Sequence, residues 1–362
     1  GLILLSLLKK IASKRKDLKI VLMSATVDVN KYANYFPAPK FNFGSIVLSG
    51  ESPYPIEQIW LQKPINIKTE LEPKMISMII DILKSGKEGD ILGFVKSGAQ
   101  GRKLCNLLAP ELKKLGLNVF CTELESRSKH DIHPETSISK TNYAMHINYY
   151  KTHPNFSKDN PPDRKIVFAT NVAESSLTVK GVVFVIDSGL ELLEKYYPEQ
   201  MARSLQDEYV AQSAVIQRKG RAGRTQPGIC YHMYTKDQYD KFEKYPVPDI
   251  QKTDLTDPMI DLLRMSDIST VKDLKEFFKN IISPPEQKFI TSALMILFAL
   301  DIITSLDDDG QFTELGSAIS LFRGIKPSHA KSIISAYFNH CRNEVVDIIS
   351  IIIGMDGRID TL

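Results

Sequence analysis

Eight consecutive residues, Gln217-Arg218-Lys219-Gly220-Arg221-Ala222-Gly223-Arg224, set an amide, a lysine, three arginines and two glycines side by side. The chemistry such a string suits is the holding of a polyphosphate. A guanidinium makes planar, paired hydrogen bonds to phosphate oxygens, and glycine lets backbone approach closely. Arg221 and Arg224 are three apart, a spacing that can bring both to one side of a helical turn. A solvated basic loop would carry the same letters, so the surrounding sequence has to decide between the two.

The elements that would position this string read as α/β. Lys19–Met23, Asp90–Val95, Lys165–Ala169, Val182–Ile186 and Ile229–Tyr234 are short apolar runs. Most end in small or polar residues: Ser24-Ala25-Thr26, Thr170-Asn171 and Asp187-Ser188-Gly189. Short strands apolar throughout fit a parallel sheet covered on both faces by helices. In such sheets ligands bind beyond the carboxyl ends of the strands, where those polar residues fall. A helix is expected from about residue 99 to 115, and a core-facing one from Leu2 to Ile11.

Proline punctuates the chain. Ser52-Pro53-Tyr54-Pro55 and Lys63-Pro64 suggest a linker over residues 50–66, and Pro246, Pro248 and Pro258 suggest a second break. Beyond about 254 the pattern is mainly helical. Ser283-Pro284-Pro285-Glu286 reads as a helix start, and Asp307-Asp308-Asp309-Gly310 as a hairpin tip. Two helices and a hairpin are compatible with a winged helix. Residues 121–163 are polar and irregular, the mark of a long insertion.

The composition narrows the classes further. With 362 residues, 43% hydrophobic and 25% charged, the chain is sized for two or three folded domains. A net charge of +3 does not announce a nucleic-acid binder, but basic residues can be concentrated in one channel. The four cysteines, Cys105, Cys121, Cys230 and Cys341, show no metal-type spacing, so neither a disulfide nor a metal centre is expected, and a reducing intracellular setting is the default. His130, His133, His146 and His153 lack cysteine partners and read as solvated. No apolar run reaches the roughly 18–20 residues of a membrane span. The chain opens without Met, in a helical pattern expected to be cut from a longer protein.

In their order along the chain these residues resemble the DEAH/RHA group of superfamily 2 RNA helicases. Ser24-Ala25-Thr26 resembles motif III, and Ile91–Ser97 a weak motif IV. Residues 170–178 (Thr170-Asn171-Val172-Ala173-Glu174-Ser175-Ser176-Leu177-Thr178) with Val185–Gly189 resemble motif V. Gln217–Arg224 resembles motif VI. Glu174-Ser175-Ser176 and the Lys/Ile/Asn bias are similar to helicases of this group in large DNA viruses. The resemblance implies a partial first RecA-like domain over 1–60, a complete second one over 61–238, a winged helix over 239–322 and the start of a helical ratchet domain over 323–362. It also implies a monomeric intracellular motor that uses ATP or other nucleoside triphosphates with Mg2+ and moves 3′ to 5′ on RNA. The phosphate-cradling Gly-x-x-x-x-Gly-Lys-Thr loop and the magnesium-holding Asp-Glu-x-His are not in this sequence, so no metal ligand is expected within it and the chain by itself should not hydrolyse nucleotide.

By that resemblance Arg221 and Arg224 face the γ-phosphate, Gln217 lies near the attacking water, and Gly220 and Thr178 contact the nucleotide. Ser24, Thr26 and Ser176 couple the nucleotide to the nucleic acid. Thr170, Asn171, Ser97, Lys195 and Arg203 touch RNA, the last two from a strand-separating hairpin over 190–210. Two departures stand out: Lys180 replaces an acidic residue of motif V, and Lys219 an alanine of motif VI. Tyr149, Tyr150 and Phe156 are candidates for stacking on the base. Two rival readings share these letters: a helicase-like scaffold without turnover, and a DNA translocase of the same superfamily.

Overall fold

The computed structural model describes residues 1–15, 17–24, 28–46, 52–124, 162–175 and 181–354. Six strands form one parallel sheet: β1 (Ile56–Trp60), β2 (Asp90–Phe94), β3 (Val119–Leu124), β4 (Arg164–Ala169), β5 (Val182–Asp187) and β8 (Gly228–His232). Their order across the sheet is β1-β8-β5-β2-β4-β3. Central β5 is buried along its whole length.

Alternate residues of the same strands feed two cores. Ile91, Ile166 and Phe168 pack with Leu71, Met75 and Ile79 of α3 (Leu71–Lys84) and with Leu104 and Leu108 of α4 (Gly98–Lys114). Leu92, Phe94, Val167 and Ala169 turn to the other face, where they meet Ala173 of α5 (Val172–Ser175) and Ala222. Each large apolar side chain so buried contributes about 1.5–3 kcal/mol. The continuous apolar runs follow from this two-sided cover, and the second face is the one that carries α5 and the turn after α6 (Gln212–Lys219).

An antiparallel hairpin, β6 (Leu190–Tyr197) and β7 (Ala202–Tyr209), leaves the sheet after β5. It fills the segment expected to hold a hairpin. Tyr196 is its anchor: the hydroxyl shares a 2.8 Å hydrogen bond with Ser292, and the ring is buried in the core of the following helical region. That region holds α8 (Thr256–Leu263), α9 (Val271–Lys279) and α10 (Gln287–Ala299). A capping box of Thr270 and Asp273 starts α9. An antiparallel bridge joins Ile303 to Phe312 around the Asp307–Gly310 turn, where the hairpin tip was expected, and a second joins Gln311 to Thr270 at the start of α9. Helices α11 (Glu314–Ile319), α12 (Pro327–Phe338) and α13 (Arg342–Gly354) follow.

Three expectations are corrected, and one about the opening helix holds. The stretch 50–66 is not only linker, because β1 lies inside it and pairs with β8 at the sheet edge. Pro55 sits just before the strand, and an edge strand tolerates proline there. Lys19–Met23 is not a strand: no described strand lies beside it, its backbone has no ladder to join, and Val21 and Met23 are 78% and 90% exposed. The opening helix, α1 (Leu2–Lys14), buries an apolar face as expected, against the helical region through Leu2, Ile3 and Leu7, with Lys10 paired to Asp267. Finally, Cys105 of α4 and Cys121 of β3 are joined in a disulfide, with Cα atoms 5.6 Å apart. The chain returns from α4 along β3, which brings together two cysteines at a sequence separation of 16.

Of the insertion read over 121–163, residues 121–124 belong to β3 and 125–161 lie outside the described residues, as do the four histidines and Tyr149, Tyr150 and Phe156. Among the described residues no helix is long and apolar enough to cross a membrane.

Candidate functional site

The basic string begins inside α6 and runs off its end. Gln217 is half-buried on the helix, Gly220 caps it, and residues 221–226 form the turn that leads to β8. Gly220 keeps a right-handed helical backbone. Gly223 does the closer work. A Cβ there would come within 2.7 Å of the Tyr54 carbonyl oxygen, so only glycine lets the turn lie against the chain entering β1. Arg221 is buried to 9% exposure, whereas Arg224 is exposed. The two therefore do not share one helical face: Arg221 is drawn inward and its Nη2 donates to the backbone carbonyl of Glu174.

Glu174 belongs to α5, the short helix at the carboxyl end of β4. Thr170 and Asn171 begin that turn, their carbonyls accepting from the Ala173 and Glu174 amides. Thr170 is half-buried and Asn171 exposed. The residues read as nucleic-acid contacts thus immediately precede one four-residue helix, whose third residue holds Arg221.

Arg218, left without a definite role by the sequence, is the most enclosed charge of the site. Its side chain is fully buried. Nε donates to Glu174 Oε1 at 2.7 Å and Nη1 to Asp187 Oδ1 at 2.9 Å. Nη1 and Nη2 also reach the Leu190 carbonyl, and the guanidinium lies 5.0 Å from the centre of the Phe94 ring. Asp187, at the end of β5, is itself fully buried and accepts from Tyr234 Oη at 2.6 Å and from the Gly189 amide at 2.9 Å. Burial alone would raise the Asp187 carboxyl, but Arg218, then His232 and Tyr234, outweigh it and hold the group well below the usual carboxylate range. Burial would likewise lower Arg218, and the two carboxylates outweigh it, so the guanidinium stays charged. Glu174 goes the other way: burial outweighs Arg218 and raises it.

The other predicted positions are more dispersed. Ser97 caps α4, its hydroxyl accepting from the Gln100 amide at 3.2 Å, and the neighbouring Lys96 pairs with Asp207 of the hairpin. Lys195 is exposed on β6. Arg203 on β7 pairs with Glu194 and Asp254 at 3.4 and 3.3 Å. Ser24 lies in the exposed segment before α2 (Val29–Tyr35). Thr26, Ser176, Thr178 and Lys180 lie outside the described residues. Glu174 and Asp187 were in view only as motif letters. The signal that could have marked Asp187 is its place at the end of the apolar run Val182–Ile186, since a carboxylate buried there needs a cation.

Residues 74–226, which contain α5, α6 and both arginines, match the helicase conserved C-terminal domain family. The fold is that of a DEAH/RHA helicase from Escherichia coli, HrpB, whose crystal structure superposes with a TM-score of 0.73 over 99% of this chain and 40% of that one, at 22% identity. The chain is 32% identical over 97% of its length to a protein of Acanthamoeba polyphaga mimivirus named "Putative ATP-dependent RNA helicase L540", and 30% identical over 96% to a Pongo abelii protein named "Probable ATP-dependent RNA helicase DHX35". The chain thus carries a helicase conserved C-terminal domain and is similar to proteins named as ATP-dependent RNA helicases. The six-stranded sheet is accordingly its RecA-like helicase C-terminal domain. The chain spans about half the length of these curated relatives, 47% and 45%.

Proposed function

We propose that this chain forms the C-terminal part of an ATP-dependent RNA helicase core, and that the intact protein couples hydrolysis to 3′-to-5′ movement on RNA. The observation that carries the reading is the joint of α5 and α6. Arg221 is held on the backbone of the short helix that follows Thr170 and Asn171, and Arg224 stands exposed beyond it on the turn after α6. Phosphoryl transfer is mostly positioning and charge stabilisation, so two arginines on a fixed turn are the expected contribution of this half of a nucleotide cleft.

In this reading ATP lies between this domain and a first RecA-like domain, against Gly220 and Thr178, with Gln217 orienting the attacking water. Mg2+, held by groups outside this chain, would offset charge on the phosphates. Closure brings Arg221 and Arg224 to the γ-phosphate. Ser24, Thr26 and Ser176 relay closure to the strand, and Thr170, Asn171, Ser97, Lys195 and Arg203 face RNA. Contacts of that kind to phosphate and sugar carry no base information, so little sequence preference follows. Residues 239–322 form a winged helix and 323–362 the start of a ratchet domain. The intact protein works as an intracellular monomer, and the mimivirus relative supports an origin in a large DNA virus. Strand-displacement assays on duplexes with 3′ or 5′ single-stranded tails test the direction. The reading expects ATP-dependent unwinding of 3′-tailed RNA, and unwinding of 5′-tailed duplex alone would contradict it.

A further inference from the structure

Arg218 has no place in the nucleotide contacts proposed above, yet it is the most completely enclosed arginine of the string. A buried charge is retained at a cost unless its partners compensate, and the partners here are two carboxylates on two different elements. One arm of the fork is fixed. Asp187 closes the central strand and is held by Tyr234, the Gly189 amide and the neighbouring His232. The other arm ends on Glu174 of a four-residue helix, whose side chain keeps 15% exposure.

Glu174 is also the residue on whose carbonyl Arg221 rests. Its side chain holds Arg218 and its main chain holds Arg221, so two of the three arginines are tied to one point on α5. A shift of α5 against the sheet would pull on Arg218, whose far arm cannot follow, and would move the seat of Arg221. Thr170 and Asn171, just before α5 and bonded through their carbonyls to its Ala173 and Glu174 amides, are the positions that the helicase reading gives to a bound strand.

Resting on the helicase reading above, we infer that Arg218 is a positioning residue, a pivot between Asp187 on the sheet and Glu174 on α5 through which nucleic-acid engagement at Thr170 and Asn171 sets the place of Arg221. Arg218 touches no substrate in this scheme. The fork is what matters: a guanidinium spans both carboxylates with fixed geometry, and a lysine cannot. Burial raises the Glu174 carboxyl, which makes the α5 arm the more easily released of the two.

The test is made in the intact protein with Glu174→Gln and Arg218→Lys, beside the wild type. Glu174→Gln keeps the main-chain carbonyl that holds Arg221 and removes only the charge that holds Arg218. It is also the variant expected to fold even if Arg218→Lys does not. Measured are ATP turnover with and without single-stranded RNA, KM for ATP, Kd for RNA and melting temperature. The inference expects the ratio of RNA-stimulated to unstimulated turnover to fall about tenfold or more in Glu174→Gln, while KM and Kd stay within about twofold. An unchanged ratio in Glu174→Gln overturns it. So does a fall in which both turnovers drop by one factor together with the melting temperature, since that is what a purely structural ion pair would give. A wild type without RNA-stimulated turnover would remove the helicase reading itself, a result distinct from either of these.

Discussion

Residues 19–23 and 90–94 are two apolar pentapeptides of similar make-up with opposite fates. Ile91, Leu92 and Phe94 are wholly buried, paired on one side with β4 and on the other with β5. Val21, Leu22 and Met23 are exposed in a segment with no described strand beside it. The difference lies not in the letters but in the neighbours. A parallel strand has no stability of its own, and gains it from ladder hydrogen bonds and two covering helix layers. The sheet domain supplies both to residues 90–94. Residues 1–46 supply neither to residues 19–23, and are attached instead through the apolar side of α1 on the helical region.

Substitutions break or sharpen that contrast. The largest stability loss is expected from Arg218→Met, which leaves Asp187 and Glu174 buried without their cation: about 3–5 kcal/mol by chemical denaturation. The same ion pair sets an acid limit. The Asp187 carboxyl is held below its ordinary 3.8, so between its folded value and 3.8 the unfolded chain binds more protons than the folded one. Its stabilising contribution is therefore complete above that ordinary value and is lost as pH falls below it. Denaturation followed down a pH series should show this loss in the wild type and a shallower one in Arg218→Met.

Next comes Ile91→Ala in the central sheet, expected to cost about 2–5 kcal/mol by removing a side chain with no exposure. Tyr196→Phe, which removes the hydroxyl shared with Ser292, is expected to cost about 1 kcal/mol and to loosen the hairpin from the helical region, read as faster amide exchange in β6 and β7. In this chain by itself, Val21→Ala is expected to stay within about 0.5 kcal/mol of wild type. A loss at Val21 as large as that at Ile91 would mean that residues 19–23 are covered in the folded protein and would end the contrast.

The legibility of the chain divides along the same line. The strands at 90–95, 165–169, 182–186 and 229–234 were readable within a residue or two because two-sided burial writes itself as an unbroken apolar run. The strand at 56–60 was hidden: an edge strand has one partner and partly exposed residues, and the flanking prolines spoke louder. The Cys105–Cys121 bond was invisible because it depends on how α4 is laid over β3, which spacing does not encode. In the candidate site, the basic string and the Thr170-Asn171 turn could be found from residue types. The sharing of labour within the string could not. The sequence reading pairs Arg221 with Arg224 and leaves Arg218 without a role, whereas the fold buries Arg218 between two carboxylates, rests Arg221 on a main-chain carbonyl and leaves Arg224 exposed.

ATP turnover of the intact protein, with and without single-stranded RNA, wild type beside Arg221→Ala/Arg224→Ala, bears most directly on the central claim. Removing a group that stabilises transition-state charge costs about 10²–10³ in rate. The account predicts RNA-stimulated turnover in the wild type and a loss of at least that size in the double variant, with RNA still bound. Undiminished turnover in the double variant, or RNA bound by a wild type that never turns over ATP, would contradict it.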